Sequence, residues 1–324
     1  MFLKKVQKSH RMLAEEALIR RLPENHPKIA KINENLANRI AGYRGEQALG
    51  YQLQRLEKTD FYIMQDLRLK QGELHFQIDT LLVSPTFILI IEVKNISGLL
   101  FLDTKFKQMY RTKDDIIEGL KYPISQVNYH EELLRLWLTE HRLHSLPVEH
   151  LIAFANQSSV LKTNDTHENI YEKVFHVDSI IEQIRMLQQK YEDRKPKRKL
   201  AKNLCDAVLH ANSPIQTDVL DAFHINKNEL RAGVQCPSCY NIPMKRKKGV
   251  WRCDRCEYTS EHAHKQAICD YLCLFEPTIS NKQAMRFLHI KSRNTMLRIL
   301  KDMDLQTEGN TKGRRYRLGR LVQL

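Results

Sequence analysis

Two carboxylates and an ammonium stand where a buried strand pair should hold only apolar side chains. The run Phe87-Ile88-Leu89-Ile90-Ile91 is broken by Glu92 and Lys94, and the apolar stretch before it, His75 to Val83, carries Asp79. With a two-residue loop at Pro85-Thr86, directly opposite residues have numbers summing to 171. Asp79 then faces Glu92 with Cβ atoms roughly 4.5–5.5 Å apart, and Lys94 projects from the same face. Ionised groups among Leu81, Leu82, Val83 and Ile88 are costly unless paired or bound to a metal. Adjacent acids favour a hard divalent cation, and Mg²⁺ suits one or two protein carboxylates plus phosphate oxygens and water. That is phosphodiester chemistry: the cation polarises the phosphoryl oxygen and acidifies water, while Lys94 orients that water or steadies developing negative charge. One buried ion pair, or charges at strand ends, is the alternative these residues leave open.

A second constellation is Cys236-Pro237-Ser238-Cys239, thirteen residues, then Cys253-Asp254-Arg255-Cys256. Each knuckle offers two thiolates, and four thiolates complete a tetrahedral, closed and therefore structural zinc site, the pattern of a zinc ribbon. A redox pair is the alternative. Between the knuckles Lys245-Arg246-Lys247-Lys248 precede Gly249 and Trp251, a basic hairpin suited to phosphate contact. Cys205, Cys269 and Cys273 read as small buried apolar residues.

The elements that must position these groups follow from periodicity. Met12, Leu13, Ala17 and Leu18 mark a first helix, broken at Pro23 and Pro27. A second runs from about Lys28 through Gly45-Glu46 to Leu56, with Leu49, Leu53 and Leu56 at helical spacing. Strands are expected over 61–64, 75–83, 87–94 and 148–155, a turn over 114–119, and helices over 124–140 and 177–191. This order predicts an α/β (α+β) fold, a mixed sheet flanked by helices. After Arg194-Lys195-Pro196-Lys197-Arg198-Lys199, helical sections are expected over 200–211 and 219–224, then the cysteine cluster. Ser280 caps a short helix Asn281–Leu288, Ser292 caps Arg293–Met303, and Thr307 to Leu318 forms a basic hairpin.

The charge is unevenly placed. The first 193 residues hold 26 Lys+Arg and 26 Asp+Glu, leaving 26 basic and 12 acidic of the chain's 52 and 38 for the last 131 residues, so the whole +14 lies there. Such a basic segment fits a polyanion partner, DNA in the first place and RNA as the rival. The longest apolar run is far too short to span a bilayer, and no apolar stretch follows the first basic residues, so a cytoplasmic protein is expected. Composition leaves the oligomeric state unassigned.

Four separated motifs, Gly45-Glu46, Gln77-Ile78-Asp79-Thr80-Leu81-Leu82, Ile91-Glu92-Val93-Lys94-Asn95 and Pro123-Ile124-Ser125-Gln126-Val127, together resemble the nuclease-related domain (NERD) family, which is similar to the PD-(D/E)xK nucleases. The resemblance implies a nuclease-like mixed sheet and a Mg²⁺- or Mn²⁺-dependent nuclease. Asp79 and Glu92 would be metal ligands, the Val93 carbonyl a further ligand and Lys94 the catalytic lysine, with Glu46 and Gln126 completing the site. Ile78 stands where the superfamily motif has proline, and His130 follows Gln126 where some relatives have tyrosine. The last segment resembles a winged helix-turn-helix, which implies that Arg293, Asn294 and Arg298 face a groove and that Lys312, Arg314 and Arg315 meet phosphates. The expected organisation is a helical arm at 1–39 packed on the nuclease core, a nuclease-like domain at 40–193, a basic helical linker at 194–232, a zinc ribbon at 233–260 and a winged-helix-like domain at 261–324. A non-catalytic DNA-binding protein or regulator on a nuclease-like scaffold is the rival reading.

Overall fold

The computed structural model describes residues 1–56, 60–164, 170–310 and 313–319. It divides into two compact units, Met1–Gln7 with Arg39–Ile215, and Lys8–Asn38 with Gln216–Leu324. The chain opens with β1 (Phe2–Lys4), α1 (His10–Arg21) and α2 (Ile29–Leu53). Then come β2 (Tyr62–Gln71), β3 (Leu74–Val83), β4 (Ile88–Lys94), β5 (Gly98–Asp103), β6 (Gln108–Lys113) and β7 (Ile116–Leu120). After α3 (Pro123–Glu140) follow β8 (Val148–Phe154), β9 (Ser159–Thr163), β10 (Val174–His176), α4 (Ile180–Lys190) and α5 (Arg198–Ala211).

In the first unit six strands form a mixed sheet in the order β1-β2-β3-β4-β8-β10. β2, β3 and β4 are antiparallel neighbours, and β8 runs parallel to β4. Leu133, Leu134 and Trp137 of α3 and Leu204 and Val208 of α5 cover one face with Ile78, Ile88 and Ile90. Leu49 and Leu53 of α2 and Ile181 and Ile184 of α4 cover the other with Leu89 and Ile91. Covering both faces is why β3 and β4 read as continuous apolar runs rather than alternating ones. The fold class is therefore the expected mixed α/β architecture. Two local readings change. Residues 114–119 are not a simple turn: Asp114 and Asp115, both left-handed at φ 50° and 59°, make a tight turn between β6 and β7. These strands lie in a second sheet, β7-β6-β5-β9, and β7 is almost wholly exposed, so no buried alternation marks it. The segment read as a basic helical linker does form the expected helix, α5, but it is no free linker: its Ala201, Leu204, Cys205 and Val208 make a buried stripe in the first unit's core.

The second unit continues with α6 (Val219–Ala222), β11 (Lys245–Lys247), β12 (Val250–Arg252), β13 (Thr259–Ser260) and α7 (His264–Leu274). It ends with β14 (Ile279–Ser280), α8 (Asn281–Leu288), α9 (Arg293–Lys301), β15 (Leu305–Glu308) and β16 (Arg315–Leu318). Ser280 and Ser292 cap α8 and α9 as expected, each accepting a hydrogen bond from the backbone three residues on. The arm expected on the nuclease-like core instead places α1 against α7. Asp270 accepts bonds from Arg21 Nε at 2.7 Å and Arg20 Nη2 at 2.8 Å, and the fully buried Arg21 also donates through Nη1 to the Gly233 carbonyl. One core runs from Val234, Met244 and Trp251 of the cysteine-rich segment to Phe287, Met296, Ile299 and Tyr316 of the helical segment. Among the described residues no helix is long and apolar enough to cross a membrane.

Candidate functional site

β3 and β4 pair in the expected register, Thr80 with Ile91 through to Val83 with Ile88. The ladder stops just before Asp79 and Glu92, because the next amide, Val93 N–H, donates to Asp79 Oδ2 at 2.8 Å instead of to backbone. Parting of the strands there lets the side chains at their ends converge. Lys94 Nζ donates to Glu92 Oε1 at 2.7 Å and to Gln126 Oε1 at 2.9 Å, and Gln126 Nε2 donates to the same Glu92 oxygen at 2.7 Å. Gln126 reaches them from the first turn of α3, which Pro123 opens with its φ already helical. Glu92 Oε2 is buried and has no hydrogen-bond partner; His130 Nδ1, one turn beyond Gln126, stands 3.7 Å from it.

Glu46 comes in from α2, and two contacts set its height over the sheet. A Cβ on Gly45 would lie 2.9 Å from Asn95 Cβ and 3.3 Å from Val93 Cγ1, so only glycine lets the helix lie this close to the end of β4. Asn95 Nδ2 donates to the Ala41 carbonyl at 2.7 Å, and the buried Gln65 donates to the Glu46 carbonyl at 3.1 Å. The electrostatics follow from the crowding of acids. Burial, then the charges of Asp79 and Asp66, push the Glu46 carboxyl up to about 9, against the pull of Lys4. Burial and the Glu92 charge push Asp79 up to about 7, against the Val93 N–H and Lys94. Glu92 is also penalised by burial, but His130 and Lys94 outweigh this and hold it below the usual carboxylate range.

The structure thus brings Glu92, Lys94 and Gln126 into one hydrogen-bonded group, holds Asp79 beside it on the Val93 amide, and sets Glu46 within electrostatic reach. Sequence reasoning noted His130 without giving it a role, and missed Asp66, Gln65 and Lys4. His130 had a signal, its place four residues after Gln126 on one helical face. Asp66, held by Lys4 at 3.4 Å, sits in a strand at φ 52° and had none. The donors fit a hard divalent cation. Glu46, Asp79 and Glu92 crowd together, Lys4 and Lys94 do not offset the burial and mutual repulsion that raise the first two, and Glu92 Oε2 is a buried acceptor with no hydrogen-bond partner. Among the described residues the cysteine cluster is the one group of three or more His, Cys, Asp or Glu side chains close enough to hold a metal ion as the side chains stand.

The four cysteines do converge, their sulfurs all within 4.8 Å. Cys236 Sγ lies 3.6 Å from Cys256 Sγ and Cys239 Sγ 3.5 Å from Cys253 Sγ. Sulfurs 2.3 Å from a tetrahedral zinc are roughly 3.8 Å apart, so the cage already has nearly that size. The basic residues are less uniformly placed. Lys245 pairs with Asp254 at 2.6 Å, and Arg315 is engaged with Thr278 Oγ1 at 2.7 Å and with Glu276. Arg293 is exposed near the start of α9, Arg314 Nε is buried without a partner, and Lys312 lies outside the described residues. Lys245 to Lys248 and Arg298 line one cleft.

Residues 41–155 match the nuclease-related domain family (NERD). The match starts on α2 ahead of Glu46 and closes just beyond β8, so Asp79, Glu92, Lys94 and Gln126 fall inside it. No curated protein and no solved structure matches the chain.

Proposed function

We propose, from the premise that residues 41–155 are a nuclease-related domain, that this chain hydrolyses phosphodiester bonds in DNA, using Mg²⁺ or Mn²⁺ held by Asp79 and Glu92. The observation that carries the reading is the Lys94 ammonium fixed between Glu92 and Gln126, beside a buried carboxylate oxygen with no hydrogen-bond partner. A cation bound there supplies polarisation of the phosphoryl oxygen and a more acidic water. The chain's own groups do the rest. Val93 N–H fixes the Asp79 carboxylate, and Gln126 holds Glu92 by one oxygen so that Oε2 is left to the cation. Lys94, kept in place by two acceptors, presents its charge where negative charge develops on the phosphate. Glu46 completes the acid cluster from α2, and the Val93 carbonyl is available as a further ligand.

The second unit serves as the nucleic-acid-binding part. A structural Zn²⁺ on Cys236, Cys239, Cys253 and Cys256 stabilises it, and the need for reduced thiolates suits a cytoplasmic protein. We read α8, α9 and the β15–β16 hairpin as a winged-helix-like part, with Lys312, Arg314 and Arg315 as the basic complement of its hairpin.

The test is cleavage of supercoiled, linear and single-stranded DNA, and of RNA, with and without Mg²⁺ or Mn²⁺, comparing the natural protein with Asp79→Ala and Lys94→Ala. Cutting that needs the ion and disappears in both variants supports the proposal. Pure protein that binds DNA and Mg²⁺ but leaves every substrate intact overturns it in favour of a non-catalytic DNA-binding scaffold.

A further inference from the structure

In the second unit a cleft of about 880 Å³ opens between the β11–β12 hairpin and the segment that ends α8 and carries α9. Lys245, Arg246, Lys247 and Lys248 line it from the hairpin, Lys291 from the α8–α9 turn and Arg298 from α9; Asp302 is the one acid in its wall. Among the described residues only Lys245 of these six has an ion-pair partner, Asp254 outside the cleft. Cations that gather in a concavity without counter-charges repel one another unless an anion enters.

Arg246 shows this most sharply. Cross-strand pairing sets it opposite Trp251, and its guanidinium lies 5.3 Å over the indole ring, a cation–π contact that fixes its direction. Its Nη1 is nonetheless buried with no hydrogen-bond partner, and burial followed by the Arg298 charge pushes its acidity up, its pKa below the ordinary value. An immobilised guanidinium with a free, desolvated N–H and a second arginine acting on it is half of a bidentate phosphate site.

We propose that this cleft binds the phosphodiester backbone of a single nucleic-acid strand, with one phosphate between Arg246 and Arg298. This rests on the nucleic-acid reading above and names the form of the substrate. The volume of the cleft and the placing of α9 favour a strand over a duplex. The volume is that of a small-ligand pocket, room for a few nucleotides, whereas a duplex offers a groove roughly 12 Å wide that takes a convex element such as a free helix face. The Thr295, Arg298 and Asp302 side of α9 faces the ribbon hairpin across the cleft and is not free to enter such a groove. Trp251 is buried and the cleft wall holds no exposed Phe, Tyr or Trp, leaving the exposed His289 as the one ring a base can meet, so the strand is held chiefly by its phosphates.

The experiment uses the full chain carrying Asp79→Ala, with no added Mg²⁺, so that binding is read apart from cleavage. Anisotropy of a labelled single-stranded oligonucleotide is followed over a salt series for this protein and for its Arg246→Gln, Arg298→Gln and Arg293→Gln derivatives. Zinc content reports folding. Arg246→Gln and Arg298→Gln should each weaken binding about tenfold and lower the slope of log affinity against log salt by about 0.7. Arg293→Gln, on α9 but outside the cleft, should change affinity less than about twofold, within what an exposed charge contributes. Two results overturn the proposal: cleft variants that keep zinc and bind like the parent, or a parent that prefers duplex and loses as much with Arg293→Gln as with Arg298→Gln. Should Arg246→Gln lose zinc, the exposed Arg298 decides alone. A nuclease test that fails while these bindings behave as expected leaves the cleft standing, and the reverse result removes it without touching the catalytic proposal.

Discussion

Gly45→Ala and Gly42→Ala make a matched pair that tests how α2 places Glu46. Both glycines lie within α2, so alanine brings each the same helix-propensity gain of roughly 1 kcal/mol. Around Gly42 an added Cβ meets nothing within 4 Å, whereas at Gly45 it meets Asn95 Cβ at 2.9 Å and Val93 Cγ1 at 3.3 Å. Neither neighbour is the far end of a flexible chain: Cβ is bound to the backbone, and Val93 follows Glu92 on β4. The helix must lift or the strand end must move, an overpacking cost of about 1–3 kcal/mol. Subtracting one variant from the other cancels propensity and leaves the clash, so Gly42→Ala should stabilise the first unit and Gly45→Ala should fall below it by about 1–3 kcal/mol. For a unit of this size that gap is a difference in Tm of about 2–4 °C per kcal/mol. Urea unfolding followed by Trp137 emission, in a Trp251→Phe background that silences the second unit, measures it. Glu46 is the next residue, and its displacement should lower metal-dependent cleavage at least about tenfold in Gly45→Ala alone. A Gly45→Ala protein as stable as Gly42→Ala would refute the close approach and with it the placement of Glu46.

Three other outcomes follow from the same geometry. Glu46 and Asp79 sit above their ordinary carboxylate values, at about 9 and about 7, so the folded unit keeps protons that the unfolded chain releases; the stability tied to them is whole below about pH 4 and is lost as pH rises through 7 and 9. In metal-free buffer the first unit should therefore weaken by about 1 kcal/mol or more from pH 6 to pH 9, with Glu46→Gln flattening the profile and Mg²⁺ stabilising more at pH 9 than at pH 6, all measured by urea midpoints. Cys253→Ser should abolish zinc binding, near one ion per chain in the parent by elemental analysis, and loosen the second unit, since Cys236, Cys253 and Trp251 share its core. Arg21→Met leaves Asp270 buried with only Arg20 and Gln266 and should cost the second unit about 3–5 kcal/mol by calorimetry; a cost under about 1 kcal/mol would show the pair to be ornamental.

What sequence made legible was whatever local pairing determines. The Pro85-Thr86 loop fixes a register by parity, and parity alone sets Asp79 against Glu92. Two knuckles of two cysteines fix a cage because a tetrahedral ion admits few alternatives. Serine caps at Ser280 and Ser292 mark helix starts because the orphan amides there need an acceptor within three residues. Illegible were relations between segments remote in the chain. Arg20 and Arg21 meet Asp270 across about 250 residues, and nothing in the helix period of α1 says which element its arginines will join. β7 carries Ile116 and Ile117 exposed, so the two-residue period that announces a strand is missing. The ribbon and the helical segment, read as two domains from their motifs, share Trp251, Met296 and Ile299 in one core, because a motif names the residues that do chemistry and is silent about the apolar residues between them. The same silence hid the cleft. Arg246 and Arg298 belong to different motifs, and only the shared core brings their charges to bear on one another, which is why a site for a phosphate emerges from packing and not from either motif alone.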